Sequence, residues 1–362
     1  MPVLHVQHVT TYRYRRPVGF GEHRMMFRPR DSVDQRIVSW SVDISPVPVT
    51  LRSIPDAFGN VVTLAGFNQR ARELRVENRL VIDHNATVPE EKHIAPYARI
   101  WPFTYDLDDM EDLGRVMQRH YPDPEHKVDS WARSLLAGAA TTTLDLLVAI
   151  NNEIRRGFTY CARYEEGVQQ PARTLALRAG TCRDYAVLMM EAVRALGMAA
   201  RFVTGYIYSP SSRVPGSGQP GQGSALDHDD AHEGSGATHA WVEVFVPGAG
   251  WIDFDPTNGI VGSRDLIRVA SVRDPNQAIP LAGTWTGFPA DSLGMTVCVR
   301  VVAAAAIPDG EDASSTTWAG GAAARAGPLD ADILQLPSRE RSATQSATAR
   351  PGPIRGREAV NP

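Results

Sequence analysis

The sequence Thr181-Cys182-Arg183-Asp184-Tyr185 places a single thiol where a helix is about to begin. Apolar residues then recur every three or four positions as far as Gly197, which predicts one buried helical face and a helix end at that glycine. Thr181 and Asp184 have the spacing of a capping box, and Gly180 allows a sharp turn before it. Cys182 is therefore predicted to be the first helical residue, where unpaired backbone N–H groups and the helix dipole favour a thiolate.

A second stretch decides between a nucleophile and a small buried cysteine, two readings that the first stretch leaves open. Residues 238–246 alternate like a strand, and a Pro-Gly turn leads into a returning strand. If His239 lies directly opposite Asp255, the turn is centred on Pro247, whereas Asp253 would require a turn centred on Val246. The hairpin is thus predicted to pair an imidazole with a carboxylate, as a catalytic histidine requires.

These residues resemble the transglutaminase-like superfamily, thiol enzymes of the papain-like kind. The likeness runs through residues 180–186, 194–206, 239–244 and 250–259. It implies that Cys182 is the nucleophile, His239 the general base and Asp255 the orienting acid. It also implies an α+β fold, in which an N-terminal antiparallel β domain precedes a papain-like core made of a helical part and an antiparallel sheet.

One segment departs from the family pattern. The bacterial family often has Gly-Arg-Asp-Tyr where this chain reads Val272-Arg273-Asp274-Pro275. The departure leaves the three proposed catalytic positions intact, but it leaves the substrate-side contacts near this segment open.

Composition limits the kind of protein. The 362 residues suffice for two domains, and 43% are apolar, which allows a sizeable core. A net charge of -4 gives no reason to expect nucleic acid or a membrane surface as a partner. Three cysteines argue against a disulfide framework, and no signal peptide or long apolar run is present. We therefore predict a cytoplasmic protein, and the resemblance implies that it acts on a protein or peptide substrate.

The chain is predicted to divide into three parts. Residues 1–90 form a β-rich domain, with strands at 3–12, 37–44 and 74–82. Residues 91–302 form the catalytic core, in which a connecting region broken by prolines is followed by two helices, the second ending at Gly157. Residues 303–362 lack any periodic pattern and are predicted to be a disordered tail.

Three other residues could be mistaken for catalytic groups. Cys161 follows a predicted helix end, where the dipole opposes a thiolate, so we interpret it as structural. Cys298 alternates like a strand residue and suggests no chemistry, and His8 is predicted to be structural.

A long Gly, Pro and Ser segment at 209–237 is predicted to be a mobile flap beside the site. Asp227, His228, Asp229, Asp230, His232 and Glu233 lie near its end. This cluster fits no EF-hand spacing, so we predict neither a metal nor a cofactor requirement. Activity that is lost on chelation and restored by calcium would contradict this prediction.

The predicted chemistry is acyl transfer or hydrolysis at a carboxamide or peptide bond through a Cys182 thioester. These motifs do not decide whether an amine or water is the acceptor, so a cysteine peptidase or amidase is the alternative. A second alternative is a binding scaffold that has lost its chemistry, although all three triad positions are filled.

Overall fold

The computed structural model describes residues 2–303, except for 137, 139, 140, 162, 164, 166 and 210–235. The predicted flap apart from its ends, the acidic cluster within it and the predicted tail beyond residue 303 all lie outside the described residues. Among the described residues, no helix has the length and apolar content needed to cross a membrane.

Two antiparallel sheets, one short parallel pair of strands and five α-helices lie within the described residues, which confirms the predicted α+β class. The strands are β1 (Val3–Met25), β2 (Gln35–Ser45), β3 (Thr50–Pro55), β4 (Val61–Gly66), β5 (Arg70–His84), β6 (Thr159–Tyr160), β7 (Ala179–Gly180), β8 (Ala200–Ile207), β9 (His239–Val246), β10 (Gly250–Asp255), β11 (Ile260–Val261), β12 (Leu266–Val272), β13 (Leu281–Thr286) and β14 (Ser292–Ala303). The α-helices are α1 (Leu107–Met117), α2 (Lys127–Ser134), α3 (Thr143–Gly157), α4 (Pro171–Leu177) and α5 (Cys182–Ala195).

The first sheet is built around the long strand β1. Its strand order is β2-β5-β1-β4-β3, and β13 and β14 also pair with β1. All three strands predicted in the first 90 residues are present within β1, β2 and β5. Because β13 and β14 come from the range predicted as the core, the sheets do not separate at a single point of the sequence.

The second sheet carries the candidate site and has the strand order β11-β10-β9-β8-β12. Alternate residues of β9, among them Ala240, Val242 and Val244, join a buried apolar cluster with helix α5. A separate cluster of side chains from both sheets, including Leu4, Val6, Tyr206 and Val269, packs the two sheets together. Apolar burial on both faces of strand β8 therefore fixes the second sheet between α5 and the first sheet.

Helix α5 is buried along almost its whole length. It ends as predicted, because Gly197 has a φ of 83° and its N–H bonds to the Arg194 carbonyl at 3.0 Å. Near its start, Arg183 donates to the Pro275 carbonyl at 3.1 Å, so the segment that departs from the family pattern contacts this helix.

Two helices were not predicted. Helix α1 lies in the proposed connecting region, where the prolines on either side obscured the helical spacing of Met110, Leu113 and Met117. Helix α4 has seven residues and begins at Pro171, where the sequence reads as the end of a polar loop. The prediction that a helix ends at Gly157 is confirmed by α3.

Candidate active site

Helix α5 begins at Cys182, as predicted, and the thiol side chain is buried, with 3% of the residue exposed. The Asp184 carboxylate accepts hydrogen bonds from the Thr181 N–H at 2.9 Å and from the Thr181 hydroxyl at 3.0 Å. These bonds fix the first turn, so the sulfur is carried at the N-terminus of a rigid, buried helix.

Asp184 also anchors the loop that precedes the helix. Its carboxylate accepts two bonds from Arg163, at 2.7 and 3.1 Å, and one from the Gln169 N–H at 2.6 Å. A Cβ on Gly180 would lie 2.9 Å from the Asp184 Cβ. The glycine is therefore needed for the close approach of Asp184 and not, as predicted, for a sharp turn, since it lies in strand β7.

His239 and Asp255 are in contact, although the predicted register is wrong because the turn is centred one residue later than predicted. The ladder pairs Trp251 with Phe245, which centres the turn on Gly248 and places Asp255 diagonally across from His239. Gly248 has a φ of 84°, a conformation that Pro247 cannot adopt. The diagonal still brings His239 Nε2 within 2.8 Å of Asp255 Oδ2, and both side chains are fully buried.

Four N–H groups surround the Asp255 carboxylate. Besides His239 Nε2, it accepts bonds from the Thr257 N–H at 2.9 Å, the Asn258 N–H at 3.4 Å and the Asn258 side-chain amide at 2.7 Å. Burial raises the pKa of Asp255, but His239 and these donors lower it by more than burial raises it, so the pKa lies below its ordinary value. The carboxylate is thus ionised, and it accepts a hydrogen bond from the N–H at Nε2 of the imidazole.

The other ring nitrogen, His239 Nδ1, is buried and makes no hydrogen bond of ordinary geometry within the described part of the chain. The Cys182 thiol nevertheless lies close enough to influence the ring. Burial lowers the pKa of His239, but Asp255 and the Cys182 thiol raise it from 6.5 to about 10. The arrangement therefore leaves Nδ1 as the nitrogen that can exchange a proton with the sulfur.

We expect His239 to remain protonated at pH 8 when ring nitrogen chemical shifts are followed by NMR. Its pKa of about 10 lies above the ordinary 6.5, so its contribution to stability is complete below 6.5 and is lost as the pH rises through about 10. In Asp255→Asn the pKa should fall markedly, because burial then acts with little opposition. A neutral His239 at pH 8 in the unmodified protein would contradict this expectation.

The other candidate residues lie apart from this pair. Asp253, the alternative orienting acid, accepts a bond from the Trp241 indole N–H at 2.6 Å. His8 bonds to the Tyr206 hydroxyl at 3.1 Å and to Thr10 at 3.0 Å, and burial lowers the pKa of His8 to about 3. Cys161 bonds through its N–H to the Gly180 carbonyl. His8 is thus held as a structural residue, as predicted.

A metal site is not evident in the described ranges, where no group of three or more His, Cys, Asp or Glu side chains is arranged to bind an ion. The acidic cluster at 227–233 is outside those ranges. The expectation of no metal requirement therefore stays a prediction.

Two contributions were not predicted from the sequence. Asp184 was interpreted only as half of a capping box, and its separation of 15 residues from Gln169 and 21 from Arg163 gave no further signal. Asn258 was within the matching Asp-Pro-Thr-Asn stretch, yet no role was assigned to it. An amide three residues after a buried carboxylate is a pattern that could have suggested a local bond to that carboxylate.

Comparison with known proteins gives two family matches. The bacterial transglutaminase-like N-terminal region matches residues 4–83, and the transglutaminase-like superfamily matches residues 129–256. The second match contains Cys182, His239 and Asp255.

Similar proteins include an uncharacterised protein of Mycobacterium tuberculosis, 27% identical over 77% of this chain and 86% of its own length. A protein-glutamine gamma-glutamyltransferase of Pseudomonas aeruginosa is 36% identical, but over only 24% of this chain and 11% of its own. The structure of a candidate cysteine protease from Cytophaga hutchinsonii superposes with a TM-score of 0.60 at 18% identity, covering 88% of this chain and 94% of that one. This likeness confirms the predicted fold.

Proposed function

Because the chain belongs to the transglutaminase-like superfamily, we propose that it is a thiol enzyme that transfers or hydrolyses an acyl group at a carboxamide or peptide bond. The observation that carries the proposal is the buried 2.8 Å bond between His239 and Asp255, next to a thiol that raises the pKa of the imidazole. A protein or peptide is the proposed substrate.

The first half of the reaction forms a thioester. The Cys182 sulfur attacks the carbonyl carbon while the imidazole holds the thiol proton, and collapse of the tetrahedral intermediate breaks the carbon–nitrogen bond. His239 donates the proton to the leaving amine, and Asp255 keeps the ring oriented and favours its charged form. The backbone N–H of Cys182, at the helix start, is a candidate donor to the oxyanion.

In the second half, the acceptor attacks the thioester. His239 removes a proton from water or from an amine, the new bond forms at the carbonyl carbon, and the Cys182 sulfur leaves and recovers a proton. With water the protein is a peptidase or amidase, and with an amine it is a transglutaminase. Water is always available, so hydrolysis is favoured unless the site excludes it.

A binding scaffold without chemistry is the competing proposal. A scaffold has no need to keep an ionised carboxylate buried against a histidine, because taking two charges out of water costs free energy that their attraction only partly offsets. Here Asp255 and His239 are both fully buried and paired. This arrangement favours the enzyme over the scaffold.

Incubation with a glutamine-containing protein and a labelled primary amine tests the proposal. We expect released ammonia or new chain termini with little amine incorporation, and neither product should form with Cys182→Ala. Incorporated amine would instead identify a transferase. If no product forms with a panel of unfolded and folded protein substrates, the scaffold is favoured and the enzyme proposal fails.

A further inference from the structure

Trp241 lies two residues after His239 on strand β9 and is fully buried. The indole and the imidazole are nearly parallel, with an angle of 26° and 6.1 Å between ring centroids. A Cβ on Gly205 of the neighbouring strand would lie 2.8 Å from the indole Cη2, so the absence of a side chain there makes room for the far end of the ring. Neighbouring strands therefore fix where the indole can lie.

The near end of the indole is held by a single strong bond. Trp241 Nε1 donates to Asp253 Oδ1 at 2.6 Å, and Asp253 lies on the same face of β10 as Asp255. Two parallel contacts thus cross from β9 to β10, one from the imidazole to Asp255 and one from the indole to Asp253. The second contact has no part in the reaction as described above.

Asp253 is itself anchored by a buried ion cluster. The Arg268 guanidinium of β12 pairs with Asp253 at 3.2 Å, with Glu243 of β9 at 2.7 Å and with Asp34 at 2.8 Å. Asp34 precedes β2, so the first sheet contributes one of the three carboxylates. Asp253 is bonded to an arginine that two other carboxylates also hold, so the carboxylate resists displacement and restrains the indole.

Gln35, the residue after Asp34, bonds to the Arg268 backbone. The Gln35 side-chain amide donates to the Arg268 carbonyl at 2.8 Å and its oxygen accepts from the Arg268 N–H at 3.0 Å. Strand β12 is at an edge of the second sheet, and this amide replaces a missing strand partner there. Arg268 is therefore restrained by bonds to both its backbone and its side chain.

We propose that Trp241 is a positioning residue for His239, and that Asp253 fixes the indole so that the imidazole stays aligned with Asp255 and Cys182. The proposal rests on the proposed function, because alignment has a measurable effect only if Cys182 reacts. A displacement of ~1 Å between reacting groups costs on the order of 100-fold in rate, so a restraint on the ring has a large effect.

Alkylation by iodoacetamide measures the alignment without a known substrate. Rates at each cysteine are followed by peptide mass spectrometry from pH 5 to 11, and the exposed Cys298 serves as an internal reference thiol. In Trp241→Phe we expect Cys182 alkylation at pH 7 to fall about 10- to 100-fold relative to Cys298. The alkaline limb of the profile should also move to lower pH, because Asp255 and Cys182, which raise the pKa of His239 against the effect of burial, influence a loosened ring less.

Trp40→Phe is the matched control. Its indole N–H also donates to a side-chain oxygen, that of Asn78 at 2.8 Å, but it lies in the first sheet. Trp40 is only partly buried, so we expect this variant to lose less stability in thermal unfolding and to leave the Cys182 rate and pH profile unchanged. A purely structural role for Trp241 predicts that neither variant changes the Cys182 rate or its pH profile.

If Trp241→Phe does not fold, Asp253→Asn tests whether the restraint on the indole affects the Cys182 rate. This variant keeps an oxygen acceptor, and because burial raises the pKa of Asp253 to about 7, the negative charge that the substitution removes is mostly present only above pH 7. A several-fold loss in the same direction is therefore expected at pH 8, where a charge-assisted bond is replaced by a neutral one about half as strong. Unchanged Cys182 rates in the folded variants, with fast Cys182 labelling in the unmodified protein, would overturn this inference alone. If Cys182 of the unmodified protein reacts no faster than Cys298, both proposals fail.

Discussion

Replacing Cys182 with alanine is expected to lower the rate of acyl transfer or hydrolysis by at least about a thousand-fold, to the level of the uncatalysed background. The sulfur forms the covalent bond to the substrate, and neither His239 nor Asp255 can replace it in that step. The measurement is product release from the glutamine-containing protein, with circular dichroism to show that the variant is folded.

Cys161→Ala is the control for this prediction. Cys161 is half-buried and follows strand β6, which runs parallel to the strand just before Cys182. Its removal should leave the rate within about two-fold, because it is not the first residue of a helix and has no imidazole partner in the described structure. Activity that survives in Cys182→Ala and is lost in Cys161→Ala would mean that the nucleophile was assigned to the wrong thiol.

The local parts of this site were predictable because short sequence patterns determine them. A capping pair before a run of apolar residues indicates where a helix begins, so the start of α5 at Cys182 followed directly. Strict alternation from His239 to Val246 and again after Gly250 indicates two strands, so a contact of the histidine with an aspartate of the next strand followed as well. Their catalytic roles stay a prediction.

The register of that hairpin was not predictable from the pattern. Alternation gives the face of each residue but not its partner. Moving the centre of the turn by one residue shifts every cross-strand partner by two positions, which changes the partner and keeps the face. The turn depends on positive φ angles at Gly248 and Gly250 and on a bond from the Ala95 N–H to the Pro247 carbonyl. Only the last of these involves a distant part of the chain, and no local pattern encodes it.

The sheet that contains β13 and β14 shows the same limit over a longer range. Alternation around Cys298 indicates β14, whereas no strand was predicted at β13, and the partner of both, β1, begins 278 and 289 residues earlier. Alternation in β14 indicates which side chains share a face, but it does not identify β1 as the partner strand. Pairing is therefore decided by the packing of the whole domain and not by either strand alone.

Removing the Asp184 carboxylate, as in Asp184→Ala, is expected to lower the free energy of unfolding by about 3–5 kcal/mol, which urea denaturation followed by circular dichroism measures. Asp184 is fully buried, and its carboxylate accepts five hydrogen bonds from Thr181, Arg163 and Gln169. Arg163, with 12% of its side chain exposed, would be left without its main partner. It would keep only the exposed Glu165 carboxylate at 3.2 Å and the Gly167 carbonyl at 2.7 Å, and a mostly buried charge with weakened pairing costs more than the lost bond itself contributes.

The matched control is Glu73→Ala, which also removes a carboxylate bonded to an arginine, Arg13, at 3.2 Å. Both of its side chains are about half exposed, so water replaces the partner and the expected loss is below about 1 kcal/mol. Equal urea midpoints for the two variants would show that Asp184 is not an anchor. A large loss confined to Asp184→Ala would mean that Asp184, two residues after the proposed nucleophile, holds the helix start in place, since Arg163, Gln169 and the first turn of α5 all bond this one carboxylate.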